Sequence, residues 1–357
     1  MTATQAATSW RDKSLEQSFY EYWLERENVP VYRGYYVEDV YTLPLGDWAR
    51  QGGRGAYLCL ANQQQTDGYV VEIAPGAALN PERHLFEKIM YVLSGRGCTQ
   101  VWQEGGPRHT FEWAAGSLFA IPLNAWHRHF NTSGTEPARL LAGTTAPRQL
   151  NQYHDETFIF DNPYVFRDRF SGDEEDYFSR EGESWGARSW ETNFVRDVNN
   201  FLLARWEEKG IGTRHMRFAM ADGGYGCHIH ELAPRTYVQA HRHLPGALIL
   251  VLQGSGYEIM WMDGKPKQRF ELRPGSIVSP GNMMYHQHMN LTDEPLRQLA
   301  IRSTGFSKYG TGEGGPEAHM AELLKYEDEE PAIRETFYAE VRSRGLEPVL
   351  VPVKQGG

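Results

Sequence analysis

The sequence predicts an all-β protein made of two tandem copies of one small barrel or sandwich, with helices at its N- and C-terminal periphery. Three observations lead there. The chain of 357 residues repeats its own pattern, each copy consists of short apolar runs punctuated by Gly and Pro, and helical periodicity is confined to the ends.

The repeat comes first because it sets the architecture. A shift of 159 residues aligns the chain with itself without a gap from Pro75 to Asn131. Pro75 falls on Pro234, His84 on His243, Gly95 on Gly254, Gly97 on Gly256 and Trp102 on Trp261. Gly116-Ser117 falls on Gly275-Ser276, and His127, His129 and Asn131 fall on His286, His288 and Asn290. Further along, a shift of 158 places Pro137 on Pro295 and Arg139 on Arg297, and upstream it places Trp48 on Trp206. The expected organisation is a helical arm over 1–34, a first copy over 35–150, a connection over 151–192, a second copy over 193–305 and a C-terminal helical extension over 306–357.

Within each copy the elements are strands and turns. YVLSGRG and LVLQGSG are apolar runs ending in Gly-x-Gly, the pattern of a buried strand entering a hairpin. FEWAAGSLFAIP and FELRPGSIVSP each give a strand, a Gly turn and a second strand closed by Pro. Outside the copies, Ser14 precedes LEQSFYEYWLERE, a capped N-terminal helix. PEAHMAELLKYE and PAIRETFYAEVRSRG predict two C-terminal helices, the second opened by Pro331 and closed by Gly345. The polar stretch over 151–192 is expected to wrap the surface.

Composition narrows the function classes. Hydrophobic residues at 40% and charged residues at 23% fit an ordinary soluble globular protein. A formal net charge of -10 argues against nucleic acid or an anionic membrane as partner, while leaving room for a small acidic ligand held by local cations. Cys59, Cys98 and Cys227 form no CxxC pair and are expected to be free thiols. With neither an apolar leader nor a run of membrane-spanning length, the expected location is the cytoplasm.

The chemistry is concentrated in histidines. In Gln239-Ala240-His241-Arg242-His243, residues two apart on a strand share a face, so two imidazoles can reach one ion. His286 of Tyr285-His286-Gln287-His288 can supply a third ligand from across the barrel. The bland alternative is two unrelated pairs of hydrogen-bonded histidines. The strand spacing, and the recurrence of the second pair in both copies, favour the metal. In the first copy Glu82 replaces the first histidine, while His84 and His127 remain. That copy either forms a site of two histidines and one carboxylate or has lost its metal and serves packing, and the second reading is adopted. Arg83 and Lys88 are available as charge partners for Glu82 or Glu87.

The run His241-x-His243, Gly254, Gly275, Pro280, His286, Asn290 resembles the two motifs of the cupin superfamily, and the duplication resembles a bicupin. That resemblance implies two tandem jelly-roll (double-stranded β-helix) barrels, the second binding metal. Many cupins carry a Glu ligand seven residues before the motif's glycine. Here that place holds Ala247, and its first-copy counterpart is Lys88. The stretch from His241 to Ala247 is similar to gentisate and salicylate 1,2-dioxygenases, which bind Fe(II) through three histidines and have Ala there. In that comparison His286 is a ligand and His288 a pocket residue near the substrate. In those enzymes the active copy is the first, whereas here the intact set lies in the second.

Three neutral imidazoles leave a divalent charge uncompensated, which favours a chelating anion, and a facial triad leaves open positions for substrate and O2. The expected function is an Fe(II) dioxygenase cleaving a hydroxylated aromatic acid or a related hydroxy or keto acid, with metal ligands His241, His243 and His286. Mn, Ni or Zn are alternative metals. His288 is the candidate acid/base, with support of the metal as its alternative role. The competing functions are a non-oxidative isomerase or lyase and a metal-dependent small-molecule-binding protein without turnover. The expected partners are a small acidic, optionally aromatic substrate, O2 and further copies of the chain in a homo-oligomer. Trp261 and Tyr257 are expected to be core, Arg242 to point away from the site, and His228 and His230 to serve packing more than the pocket.

Overall fold

The computed structural model describes residues 17–352 apart from 62–63, 185, 244–245 and 304–321. It is an all-β chain of two tandem jelly-roll barrels, as expected. Among the described residues no helix is long and apolar enough to cross a membrane.

Each barrel has one large and one small sheet. In the first, Gly53–Leu60, Asp67–Ile73, Ala138–Thr144, Lys88–Ser94 and Leu118–Ile121 run side by side. The small sheet is Trp126–Asn131, Arg96–Trp102 and Arg108–Ala114. In the second barrel Arg214–Ala219, Tyr225–Leu232, Leu296–Ser303, Leu248–Gln253 and Ile277–Val278 form the large sheet. Gln268–Leu272, Gly256–Trp261, Tyr285–Asn290, Ala240–Arg242 and Glu322–Leu324 form the small one.

The repeated glycines and asparagines have structural work. A Cβ on Gly97 would lie 2.0 Å from the Phe130 carbonyl oxygen, and one on Gly256 would lie 1.8 Å from that of Met289, so only glycine lets these strands approach. Asn131 and Asn290 occupy matching strand ends. Asn131 Nδ2 donates to the carbonyls of Ala74 and Glu136, and Asn290 Nδ2 to those of Ala233 and Glu294, closing equivalent loops.

The barrels exchange strands. Tyr36–Val37, near the start of the first copy, pairs with Ile277–Val278 of the second, and Phe194–Val195 pairs with Leu118–Phe119 of the first. The next backbone contacts match as well, with Val40 N donating to Gly275 O at 2.9 Å and Val198 N to Gly116 O at 3.0 Å. Arg139 binds the Tyr41 carbonyl (2.6 Å) and Glu72 (2.6 Å), and Arg297 binds the Phe201 carbonyl (2.6 Å) and Glu231 (2.7 Å). A continuous apolar core between the barrels includes Leu58, Val70 and Leu141 from one and Phe218, Cys227 and Leu299 from the other. Its burial drives their association.

The ends and the connection differ from expectation in places. The N-terminal helix spans Phe19–Glu27 and is capped by Ser18, whose Oγ accepts from Glu21 N at 3.2 Å; the expected cap, Ser14, lies outside the described residues. Of the first expected C-terminal helix, 316–321 lie outside the described residues, and Glu322–Leu324 form a strand on Ala240–Arg242. The open edge beside the histidine strand overrides local helix preference there. The second helix is present over Pro331–Ser343, with Gly345 in the left-handed region just beyond it. Two short helices, Ala146–Tyr153 and Glu156–Phe160, were not expected. Nor does 151–192 simply wrap the surface, because Ile159, Phe170, Tyr177 and Phe178 are buried in the core of the first barrel.

Candidate metal centre

The second barrel brings His241, His243 and His286 together. His241 lies on Ala240–Arg242 directly opposite His286 on Tyr285–Asn290. One ligand atom from each of the three lies within 4.8 Å of the others, and all three are buried. His286 Nδ1 donates to the Met284 carbonyl at 3.1 Å, which leaves its Nε2 with a lone pair. Burial, reinforced by neighbouring positive groups, holds His241 and His286 well below the usual imidazole pKa, so both are neutral. Buried neutral imidazoles converging on one point, with His241 Nδ1 lacking a hydrogen-bond partner, fit a divalent metal ion.

The strand holding His286 is braced from outside. Gln287, between His286 and His288, donates to the Val238 carbonyl (3.0 Å) and to Glu329 (3.1 Å). Glu329 also accepts from Tyr237. The C-terminal helix packs Phe337 and Val341 against Tyr237 and Met289. This support restricts the rotamers of the inward histidines.

Beyond the three histidines the cavity is cationic. Lys209 Nζ lies 2.8 Å from His241 Nε2, and Arg302 Nη1 stands 2.9 Å from both ring nitrogens of His243. Arg217 also lines the cavity. Burial and the nearby Arg302 and Arg217 push the Lys209 pKa down to about 7, and burial lowers Arg302 to about 10. Arg302 therefore remains charged at neutral pH and Lys209 is near its midpoint. Glu258 is fully buried and lies 2.9 Å from His288 Nδ1. The cavity measures about 30 Å³.

His288 is buried at the cavity wall, on the same strand face as His286. His228 and His230 also line the cavity, as does His215; packing alone was the favoured expectation for the first two. Trp261 stacks on Tyr285 outside the cavity, and Tyr257 joins the C-terminal helix core, so both are core residues. Arg242 points away, to Asp263 and Glu322. Sequence reasoning missed Lys209, Arg217, Glu258 and Arg302. The alternation of His286 and His288 could have pointed to Glu258, which faces His288 in the ladder.

In the first barrel Glu82, His84 and His127 also converge within 4.8 Å. Lys88 Nζ stands among them, donating to Glu82 Oε1 at 2.6 Å and to His127 Nε2 at 2.7 Å. Arg50 Nη1 and Gln51 Nε2 each donate to Glu82 Oε2 at 2.8 Å. Burial opposes the charge on Glu82, but the Lys88 ammonium and Arg50 outweigh it and hold the carboxyl well below its usual pKa. Of the expected charge partners, Lys88 takes Glu82. Arg83 instead pairs with Asp161 (3.1 Å) and Glu87 with Arg169 (2.9 Å), because both point out of the barrel.

Comparison with known proteins adds three findings. A family model described as the Cupin domain matches residues 69–144, within the first copy. A gentisate 1,2-dioxygenase from Streptomyces sp. is 34% identical over 73 residues, which is 20% of this chain and 19% of that enzyme's length. The fold resembles an oxalate decarboxylase–formate complex from Lactobacillus farciminis (TM-score 0.51, 13% identity, 76% of this chain and 87% of that one). It also resembles a Bacillus subtilis oxalate decarboxylase with Mn(II) centres (TM-score 0.50, 14% identity, 76% and 78%). At these identities the structural likeness concerns the fold alone.

Proposed function

We propose that the chain is a bicupin of the cupin superfamily and that its second barrel is a metal-dependent active site for a small carboxylate. The observation that carries this is the pairing of three convergent buried histidines with Lys209, Arg217 and Arg302 around one cavity. Bound to His241, His243 and His286, a divalent metal supplies Lewis acidity and, if it is iron, electron transfer to O2.

The chain's own groups do the rest. Arg302 and Arg217 hold the substrate carboxylate, and Lys209 joins them once an anion compensates its charge. With the site filled, Lys209 and Arg302 would leave the ring nitrogens and face the substrate instead. A small rotation would bring Glu258, 2.9 Å from His288 Nδ1 but out of hydrogen-bonding geometry, into a bond that fixes the Nδ1–H tautomer and leaves Nε2 to take or deliver a proton. Oxygen-dependent cleavage of a hydroxylated aromatic, hydroxy or keto acid is the leading reaction. It is supported by Ala247 in place of a carboxylate ligand and by the similarity to gentisate 1,2-dioxygenase.

The cavity volume favours a second reading, non-oxidative cleavage of a compact acid. About 30 Å³ accommodates roughly two water molecules, too little for an aromatic ring with Lys209 and Arg302 where they stand. Metal analysis of anaerobically purified protein, then O2 uptake and CO2 release with hydroxybenzoates and small dicarboxylates, separates the two. Stoichiometric iron with substrate-dependent O2 uptake is expected from the dioxygenase. CO2 release without net O2 uptake moves the assignment to the lyase, and tightly bound zinc with neither activity rejects both.

A further inference from the structure

The first barrel contains a charged cluster that the reaction does not use. Lys88 is only 1% exposed and projects from Lys88–Ser94 into the barrel. The site has the donor chemistry of a divalent metal centre. His127 Nδ1 donates to the Ala125 carbonyl (3.2 Å) and His84 Nδ1 to the Phe86 carbonyl (2.8 Å), so both rings keep a lone pair on Nε2. Those nitrogens and the Glu82 carboxylate make a set of two histidines and one carboxylate.

The ammonium already occupies that set. It takes the Glu82 oxygen and the His127 nitrogen, while His84 Nε2 stays buried without a hydrogen-bond partner. A divalent ion would have to displace an ammonium that is ion-paired to Glu82 at 2.6 Å, a carboxylate partner that Lys209 of the second barrel lacks among the described residues. The repeat shows where the cation comes from. Lys88 corresponds to Ala247, whose methyl group cannot reach the second barrel's histidines. Both copies have the ligands; in the first the tethered ammonium is ion-paired to one of them, Glu82, whereas in the second Lys209 touches only a histidine of the set, His241.

We propose that Lys88 is a built-in replacement for the metal of the first barrel: its ammonium excludes divalent ions from Glu82, His84 and His127, and those three residues bind one when it is removed. The full-length protein is loaded with Co(II) or Mn(II), and bound metal is counted after gel filtration. Wild type is expected to hold one equivalent, and His286→Ala none. Lys88→Ala is expected to gain a second equivalent, lost again in Lys88→Ala/His84→Ala. With Co(II), the gained equivalent brings its own visible ligand-field bands.

Two results overturn the proposal. One is a wild-type equivalent that survives His286→Ala but disappears with His84→Ala, since a metal would then displace Lys88. The other is folded Lys88→Ala with no added metal. If Lys88→Ala does not fold, Lys88→Met keeps the volume without the charge, and the wild-type count applies in either case. Failure of the second-barrel assignment is distinguishable: wild type would hold no metal, yet Lys88→Ala would still gain one equivalent.

Discussion

The two barrels share a backbone plan but differ in what fills them. In the first, Tyr57 opposes Tyr69 across the sheet and Gly55 opposes Val71. Trp48 packs edge-on against both tyrosines, with ring centroids 5.0 and 5.2 Å away. The corresponding rungs of the second barrel are Arg217 opposite His228 and His215 opposite His230. Where Thr99 opposes His129 in the first, Glu258 opposes His288 in the second. Where Asp67 opposes Thr144, Gly226 opposes Arg302. One interior is an aromatic core with a self-neutralised ion pair. The other is a polar cavity lined by Lys209, Arg217 and Arg302. Buried cations are costly in the empty protein and would be compensated by a bound anion, which is the contrast to test between the two barrels.

The largest expected difference lies at the matched histidines. His286→Ala should abolish metal binding and turnover, whereas its counterpart His127→Ala should leave metal content unchanged, both measured on purified protein. Next is the removal of one member of an ion cluster. Glu82→Ala leaves Lys88 buried without its carboxylate and should cost about 3–5 kcal/mol in urea unfolding. Lys209→Met removes a buried cation that has no carboxylate partner among the described residues, so stability should stay within about 1 kcal/mol of wild type or rise. Substrate KM should increase in the same variant. If Lys209→Met destabilises as much as Glu82→Ala, the contrast between the barrels is wrong.

A smaller effect is expected behind His288. Glu258→Gln should lower kcat about 10- to 100-fold with little change in KM, as expected for a residue that orients a catalytic group. Thr99→Val, at the matching place, should leave kcat unaltered. The last effect concerns pH. Burial pushes the Asp67 carboxyl up to about 8, opposed by hydrogen bonds from Cys59 and Tyr20. Between about pH 4 and 8 the folded state therefore holds a proton that the unfolded state has released. Stability should fall as pH rises through this window, by at most about 1.4 kcal/mol per unit. Asp67→Asn should flatten that slope in thermal melts recorded across the range.

Much of this contrast was legible in the repeat. Strand spacing picked out His241 and His243, the repeat matched His286 to His127, and the cupin resemblance marked the place held by Ala247 and Lys88. The cations of the cavity were not legible. Lys209 lies in the turn between Ala204–Arg205 and Arg214–Ala219, where no periodicity says which way a side chain points. Arg302 and Arg217 sit on strands that read as ordinary amphipathic β, and only their ladder partners reveal that they face inward. Glu322–Leu324 was misread as helix for a similar reason. The edge it completes is contributed by residues about eighty positions earlier, and local propensity carries no trace of it.

The exchange of Tyr36–Val37 and Phe194–Val195 has a consequence for synthesis. A ribosome that has made the whole first copy has not yet made the strand that covers Leu118–Phe119. That edge must wait for Phe194 and Val195 to clear the exit tunnel. The pair Tyr36–Val37 emerges early and waits longer still, since its partners Ile277 and Val278 come near the end of the second copy. The nascent chain thus carries an unpaired strand and an unpaired edge until both copies exist. Cutting the gene between them would yield two fragments that each lack a strand and hold the other's.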